Sequence, residues 1–381
     1  MKFTVKKDPL NASIQQVSKA ISSKPTIPIL SGIKIEANAA GLTLTASDTD
    51  ISIQSFVPLE QDGETIIDLI QSGSVVVPAK FFVEIVNKLP SSDVHIEVIP
   101  PFQIVIRSGS AEIQLSGLDP EEYPLLPGLV EYQTLTLPSE ALRSMIRQVV
   151  FAASANEATP VLTGVQWQLK DKKLKMIATD RHRLSCIEKA IDCQHELQFS
   201  DIVISAKNLN ELMKLLPDQD TLIDIVVADS QALFRIGHLL FYTLLLDGTY
   251  PDTSKIIPKT WKTEVAFTVR PLAEAIERAY LLSREEKSNI VRLTTAEDGQ
   301  SVEISSRSNQ LGRVTEQLPV ESFEGESLKI SFNSKYILDV LKVTEHREIK
   351  IGFTGSTSPM VLRPANEEQI LHLILPFRTA N

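Results

Sequence analysis

The chain repeats itself three times, and this constrains its fold more than any other feature. Residues 77–90, 204–217 and 332–342 match in detail, with Lys80, Lys207 and Lys335 spaced 127 and 128 residues apart. Glu84, Glu211 and Asp339 keep the same spacing. A period this long is that of a whole domain, since solenoid units repeat every 20–50 residues or so. Other segments recur in step: 26–32 with 159–164, 46–50 with 178–182, and 117–124 with 246–251. The third copy is more divergent there, with 289–293 and Ser305-Ser306 in the matching places.

Each copy has one order of elements. A short strand opens it, at Phe3 to Val5 or Leu135 to Leu137. A helix follows, with apolar residues at helical spacing: Leu10, Ile14, Val17 and Ile21, then Leu142, Met145, Ile146 and Val149, then Leu272, Ile276 and Ala279. Alternating strands come next, then a second helix beginning near Lys80, Lys207 or Lys335, then further strands. Helices with one apolar stripe need a sheet to cover them, so the reading is an α+β fold of three repeated domains, 1–128, 129–258 and 259–381. Pro-containing polar stretches at 124–132 and 251–263 are the expected linkers.

Composition narrows the function. Hydrophobic residues make up 43% and charged residues 23%, ordinary values for a soluble globular protein. The longest apolar run, 239–246, is broken by Tyr242 and Thr243 and falls far short of the roughly 20 residues that span a membrane. The alternating segment 1–7 reads as a strand and lacks the apolar core of a signal peptide. Cys186 and Cys193 have only His182 and His195 nearby, too few donors for a metal site, and are read as thiols. An enzyme acting on nucleotides is the rival reading, but the 15 glycines form no phosphate-binding loop. Asp180, His182 and Cys186 have no oxyanion site or further catalytic partner to go with them. A β-rich adhesin is disfavoured by the lysine-bearing helices and the missing signal peptide. The net charge of −10 argues against a conventional DNA-gripping surface, which needs cations against phosphate.

Four segments carry a family likeness: residues 1–5, 24–30, 179–184 and 375–378, in order on the repeat frame. On these the chain resembles, along its whole length, the bacterial DNA polymerase III beta subunit family, the beta sliding clamps. The resemblance implies three DNA-clamp domains per chain, with sheets outside and two helices of each domain inside, and a head-to-tail homodimer ring around duplex DNA. It implies a non-catalytic processivity subunit of a DNA polymerase holoenzyme, with no cofactor and no metal, cytoplasmic and associated with the nucleoid. Implied partners are the replicative polymerase alpha subunit, clamp-loader subunits, translesion and repair polymerases, ligase and mismatch-repair proteins, all through short hydrophobic motifs, with no membrane.

Residue roles follow from the same likeness. The lysines of the second helices read equally as a solvated face with ion pairs and, repeated three times, as a lining for DNA. The DNA-contact positions are Lys24, Lys80, Arg147, Asn156, Lys207, Lys214, Lys335 and Lys342, with Arg143 and Arg278 adding to the first helices. Loose contacts without base readout suit sliding, and an acidic exterior disfavours stray DNA. The partner-peptide pocket is Leu162, Thr179, Arg181, His182, Arg183, Leu184, Pro251, Ile256, Met360, Ile374, Leu375, Pro376, Phe377 and Arg378, with Arg183 and Arg378 at its polar edge. The dimer interface sets Ile113 and Leu115, on an alternating strand, against Leu281 and Leu282, expected at the end of a helix.

Overall fold

The computed structural model describes the chain except residues 23, 127–133, 193–196, 286–287, 309 and 379–381. Cys193, His195, the end of the first expected linker and the last three residues therefore lie outside the described residues. Two helices fall in each repeat: α1 (Lys7–Val17) and α2 (Ala79–Lys88), α3 (Ser139–Val149) and α4 (Ala206–Met213), α5 (Val269–Glu285) and α6 (Ser334–Val343). Each starts directly after a strand, so the chain reverses by switching period from two to 3.6. The first helix is shorter than its apolar spacing suggests. It stops at Val17, tightens into a 3-10 turn over Ser18–Ala20, and leaves Ile21 extended. α5 runs on to Glu285, so Leu281 and Leu282 lie within its last turns and not at its end.

The strands form sheets that cross the repeat boundaries, and the chain divides into two compact units. The first holds residues 1–140 and 210–245, the second 141–209 and 246–381, so the middle repeat contributes to both. The first unit contains an eight-stranded antiparallel sheet. In it, the first repeat's strands Gly73–Pro78, Gly32–Asn38, Gly41–Ser47 and Ile51–Pro58 continue into Leu239–Leu244, Gln231–Ile236, Leu222–Val227 and Thr134–Pro138 of the second. The joint is the ladder between Ile51–Pro58 and Leu239–Leu244. A five-stranded sheet in the same unit ends on the strand Ala111–Ser116.

The second unit repeats this plan. Its nine-stranded sheet joins the rest of the second repeat to the third through Arg183–Ala190 and Ile370–Ile374. Its four-stranded sheet ends on Gly312–Pro319. In the first unit Leu10, Ile14 and Val17 of α1 and Phe82 and Val86 of α2 are buried. In the second, α5 and α6 bury Leu272, Ile276, Ala279, Ile337 and Leu341 in a core with Val265, Phe267, Phe332, Ile351 and Phe353. Fully covering an aliphatic side chain of this size contributes about 1.5–3 kcal/mol, so the helices are held by the sheets more than by their own propensity. None of the described helices is long and apolar enough to cross a membrane.

Candidate functional site

Several of the expected pocket residues meet at the joint inside the second unit. Val161, Leu162, Ile177, Leu184, Cys186, Val203, Tyr250, Val361, Leu371 and Leu373 form one apolar cluster, walled by Leu246 and Ile257. Around it stand exposed residues: Pro251, Ile256, Leu375 and Phe377. The cluster brings together expected residues Leu162 and Leu184, but it corrects others. Met360 and Ile374 are fully buried on the other side of their strands, in the core with Phe267 and Leu272. Their neighbours Val361 and Leu373 face the cluster instead. Likewise Ile257 packs on the cluster, while Ile256 is exposed. Val361, Leu373 and Ile257, none of them expected, each lie one position from an expected residue.

A tight turn forms the mouth. Asp180 Oδ1 accepts hydrogen bonds from the N–H groups of His182 and Arg183, both at 2.9 Å. Thr179 is buried; its hydroxyl donates to the Arg183 carbonyl at 2.6 Å, and its N–H donates to Tyr250 Oη at 3.0 Å. Burial pushes the Tyr250 phenol well above its ordinary pKa, so it stays a neutral partner for that N–H. Arg181 takes φ +74°, and its guanidinium donates to Thr159 Oγ1 at 3.0 Å. A non-glycine residue held there costs on the order of 1–3 kcal/mol and presents an exposed side chain at the mouth. The Leu375 N–H donates to the His182 carbonyl at 2.9 Å, and the Phe377 N–H to the Ser331 carbonyl at 2.7 Å. The segment from Leu375 through Pro376 to Phe377 and exposed Arg378 therefore borders the mouth.

Arg183 does not stand at the polar edge. Its guanidinium donates to Asp180 Oδ2 at 3.0 Å, Asp339 Oδ2 at 2.6 Å and the Phe151 carbonyl at 2.6 Å. It also stacks 4.6 Å from the Tyr336 ring. Five donors in a planar fork allow one arginine to tie the turn, α6 and the segment after α3 together. Behind the mouth, His372 is fully buried with Nδ1 2.7 Å from Ser185 Oγ. Burial lowers its pKa to about 3, so the ring is neutral. Burial also raises the Cys186 thiol to about 11, which leaves it an unreactive apolar neighbour.

The expected DNA-contact residues have separate environments. Lys80, Lys335 and Lys342 are exposed on α2 and α6, and Lys207 is exposed on α4. Lys24 is exposed in a loop. Lys214, just past α4, pairs with Glu211 at 2.7 Å. Arg147 pairs with Glu345 at 3.1 Å, a pair open to solvent and worth about 0–1 kcal/mol. The Asn156 side-chain oxygen accepts from the Ala158 N–H at 2.9 Å, closing its own loop. Arg278 does not join a free cationic face: it holds Glu316 with two bonds of 2.8 and 2.6 Å.

Of the expected interface residues, Ile113 and Leu115 lie on an edge strand and Leu281 and Leu282 on α5. Along Ala111–Ser116, Ile113 and Leu115 are half-buried while Glu112, Gln114 and Ser116 are exposed. Along Gly312–Pro319, Val314 and Glu316 are half-buried on the face toward α5. Leu281, on α5, is exposed and Leu282 half-buried.

Comparison with known proteins agrees with this architecture. Family models described as the N-terminal, central and C-terminal domains of the DNA polymerase III beta subunit match residues 1–127, 136–252 and 254–378. The chain is 47% identical to a beta sliding clamp of Bacillus subtilis over 379 residues, covering all of both chains. It is 41% identical to one of Staphylococcus aureus over 379 residues, again covering both in full. The crystal structure of the DNA polymerase sliding clamp from Bacillus subtilis matches with a TM-score of 0.97 at 46% identity over the whole of both chains. The DNA polymerase III beta subunit of Thermotoga maritima matches with a TM-score of 0.88 at 27% identity, also over both chains in full.

Proposed function

Because this chain belongs to the DNA polymerase III beta subunit family, we propose that it is a processivity clamp: two copies close head-to-tail around duplex DNA and hold the replicative polymerase by a short hydrophobic segment. The observation that carries this is the pair of unpartnered sheet edges. Inside the chain, repeats are joined by two equivalent ladders, in which Gln54 faces Leu240 and Cys186 faces Leu371. Following the strand registers through each repeat, Thr315 is the counterpart of Gln54 and Cys186, and Glu112 is the counterpart of Leu240 and Leu371. Their strands have no partner beyond them in the described sheets. A third joint of the same kind, made with a second copy, pairs Thr315 with Glu112 and sets Val314 opposite Ile113. Two such seams close the assembly, since each copy offers one edge of each kind.

DNA passes through the closed ring and is held by topology. Lys24, Lys80, Lys207, Lys214, Lys335 and Lys342, with Arg147 and Asn156, offer dispersed polar contacts to phosphate and no base readout. Their small number keeps the grip weak enough to slide, and the net charge of −10 repels DNA elsewhere. The apolar cluster behind Arg181 and His182 takes the hydrophobic anchor of a polymerase peptide, as concave apolar sites with a few polar groups do. The test is retention. Loaded onto a nicked circular plasmid by a clamp loader, the protein should co-elute with DNA at 0.5 M or so of salt, a concentration that strips electrostatic binders. It should leave when the plasmid is linearised. Equal retention on both forms would show binding by affinity and reject the ring.

A further inference from the structure

The joint in the first unit is built on the same frame as the second unit's, and it leaves a cleft. Asp48 Oδ1 accepts from the N–H groups of Asp50 and Ile51 at 3.0 and 2.9 Å, as Asp180 does from His182 and Arg183. The Leu244 N–H donates to the Asp50 carbonyl at 2.9 Å, as Leu375 does to His182. Leu118 bonds Val76 as Leu246 bonds Val203, both at 2.8 Å, and Leu30 bonds Ile27 as Leu162 bonds Thr159, both at 3.0 Å. Thr49 takes φ +83° where Arg181 takes +74°. A β-branched residue is a rarer occupant of that region than arginine, so the same strained mouth is kept at greater cost.

The cleft has a volume of about 280 Å³ and is lined by Ile27, Leu30, Ser52, Leu125, Tyr242 and Leu244 among others. Ile27 is 42% exposed, Leu125 89% and Leu244 47%, so its rim is apolar and open to solvent. Such a grouping on a protein surface marks a place of contact. Its chemistry differs from the other pocket in two ways. Ser52 stands where the other joint has Leu184, which makes the lining more polar. At the mouth exposed Thr49 and Asp50 replace exposed Arg181 and His182, which changes its charge from basic to acidic.

We propose that this cleft is a second peptide-docking site, selective for a short extended peptide that carries one large apolar anchor beside basic residues. The proposal rests on the reading of the first pocket as a peptide groove, because the shared frame is what identifies the class of occupant. The acidic mouth selects among such peptides by charge.

The experiment uses the full-length protein and two fluorescein-labelled hexapeptides sharing a Leu-Phe pair, one flanked by lysines and one by aspartates, read by anisotropy. The lysine peptide should bind the native protein. Leu125→Arg and Asp50→Lys, both at exposed positions, should each weaken it at least tenfold without lowering the melting temperature. The aspartate peptide should be insensitive to Leu125→Arg, should gain affinity for Asp50→Lys, and should lose at least tenfold on Leu375→Arg. If the lysine peptide fails to bind, or binds equally to all variants, the cleft proposal is overturned even when the aspartate peptide behaves as expected. If the aspartate peptide fails to bind or ignores Leu375→Arg, the groove reading fails on its own, whatever the lysine peptide does.

Discussion

Replacing Ile113 with alanine tests the seam register where it is most exposed to refutation. The substitution removes three carbons, and at about 0.8 kcal/mol per buried CH₂ it forfeits about 2.4 kcal/mol when the side chain is fully covered. At most about a third of Ile113 is still open in the single chain, so only about a third of that, ~0.8 kcal/mol, belongs to the seam. A closed dimer contains the seam twice, and both are broken on dissociation. The dimer should therefore lose about 1.6 kcal/mol, raising its Kd about fifteenfold. Sedimentation equilibrium over a concentration series measures this directly. Gln114→Ala, on the opposite face of the same strand, should shift the Kd less than threefold. A double-cysteine variant, Ile113→Cys with Val314→Cys, should cross-link to a covalent dimer on mild oxidation. The neighbouring combination of Ile113→Cys with Thr315→Cys points its thiols to opposite faces and should not. If Ile113→Ala leaves both Kd and melting temperature unchanged, the seam lies elsewhere and the counterpart argument fails.

Two further perturbations probe the pocket's foundations. His372 is held neutral by burial, with a pKa of about 3 against an ordinary 6.5, so the unfolded chain binds the extra proton first. Stability then falls as pH drops from 6.5 toward 3, by about 2 kcal/mol between pH 6.5 and 5. Urea midpoints at pH 7 and 5 should show this loss in the native protein and its absence in His372→Gln; equal losses would contradict it. Arg183→Met removes the cation shared by Asp180 and Asp339, whose side chains are only 15% and 29% exposed. The remaining solvent access tempers the cost of a broken buried pair to about 2–3 kcal/mol, and Arg183→Lys should recover less than half, since an ammonium cannot replace a planar fork. Denaturant titration checks both, and a loss under about 0.5 kcal/mol would show that the network does not hold the joint.

The helices were legible from sequence because their signal is one-sided. Lys80, Lys207 and Lys335 mark the starts of α2, α4 and α6, and the alternation around Ile113 and Leu115 reads correctly as one covered and one open face. Several residues of the apolar cluster were legible only to within one position. Met360–Pro364 and Ile370–Ile374 are covered on both faces, so Met360 and Val361, or Leu373 and Ile374, look alike in a sequence. Parity in a strand needs a polar face to declare it, and these strands have none. Arg183 misled for a related reason. A lone arginine beside a turn suggests an exposed edge, and only the fold brings Asp339, 156 residues away, to its guanidinium. The sharing of sheets between repeats had no sequence signal either, because a joint strand satisfies the same alternation whichever strand it pairs with.

That sharing bears on how the assembly can be permanent inside a chain and reversible between chains. At the joint in the second unit, Leu184, Cys186, Leu371 and Leu373 are apolar on one face, while on the other Ile374 and Met360 sink into a core. Nothing favours opening it. At the free edges the outer face carries Glu112, Gln114 and Ser116 on one strand and Arg313, Thr315 and Gln317 on the other. A row of charged and hydroxyl side chains blunts an edge against stray strand pairing while leaving its backbone able to pair with the correct partner. In the proposed seam the apolar side chains are Ile113, Leu115 and Val314, all on the other face of these strands. A ring that must be opened to admit DNA without free ends needs one kind of joint weaker than another, and the contrast in side chains between the second unit's joint and the outer edges supplies it.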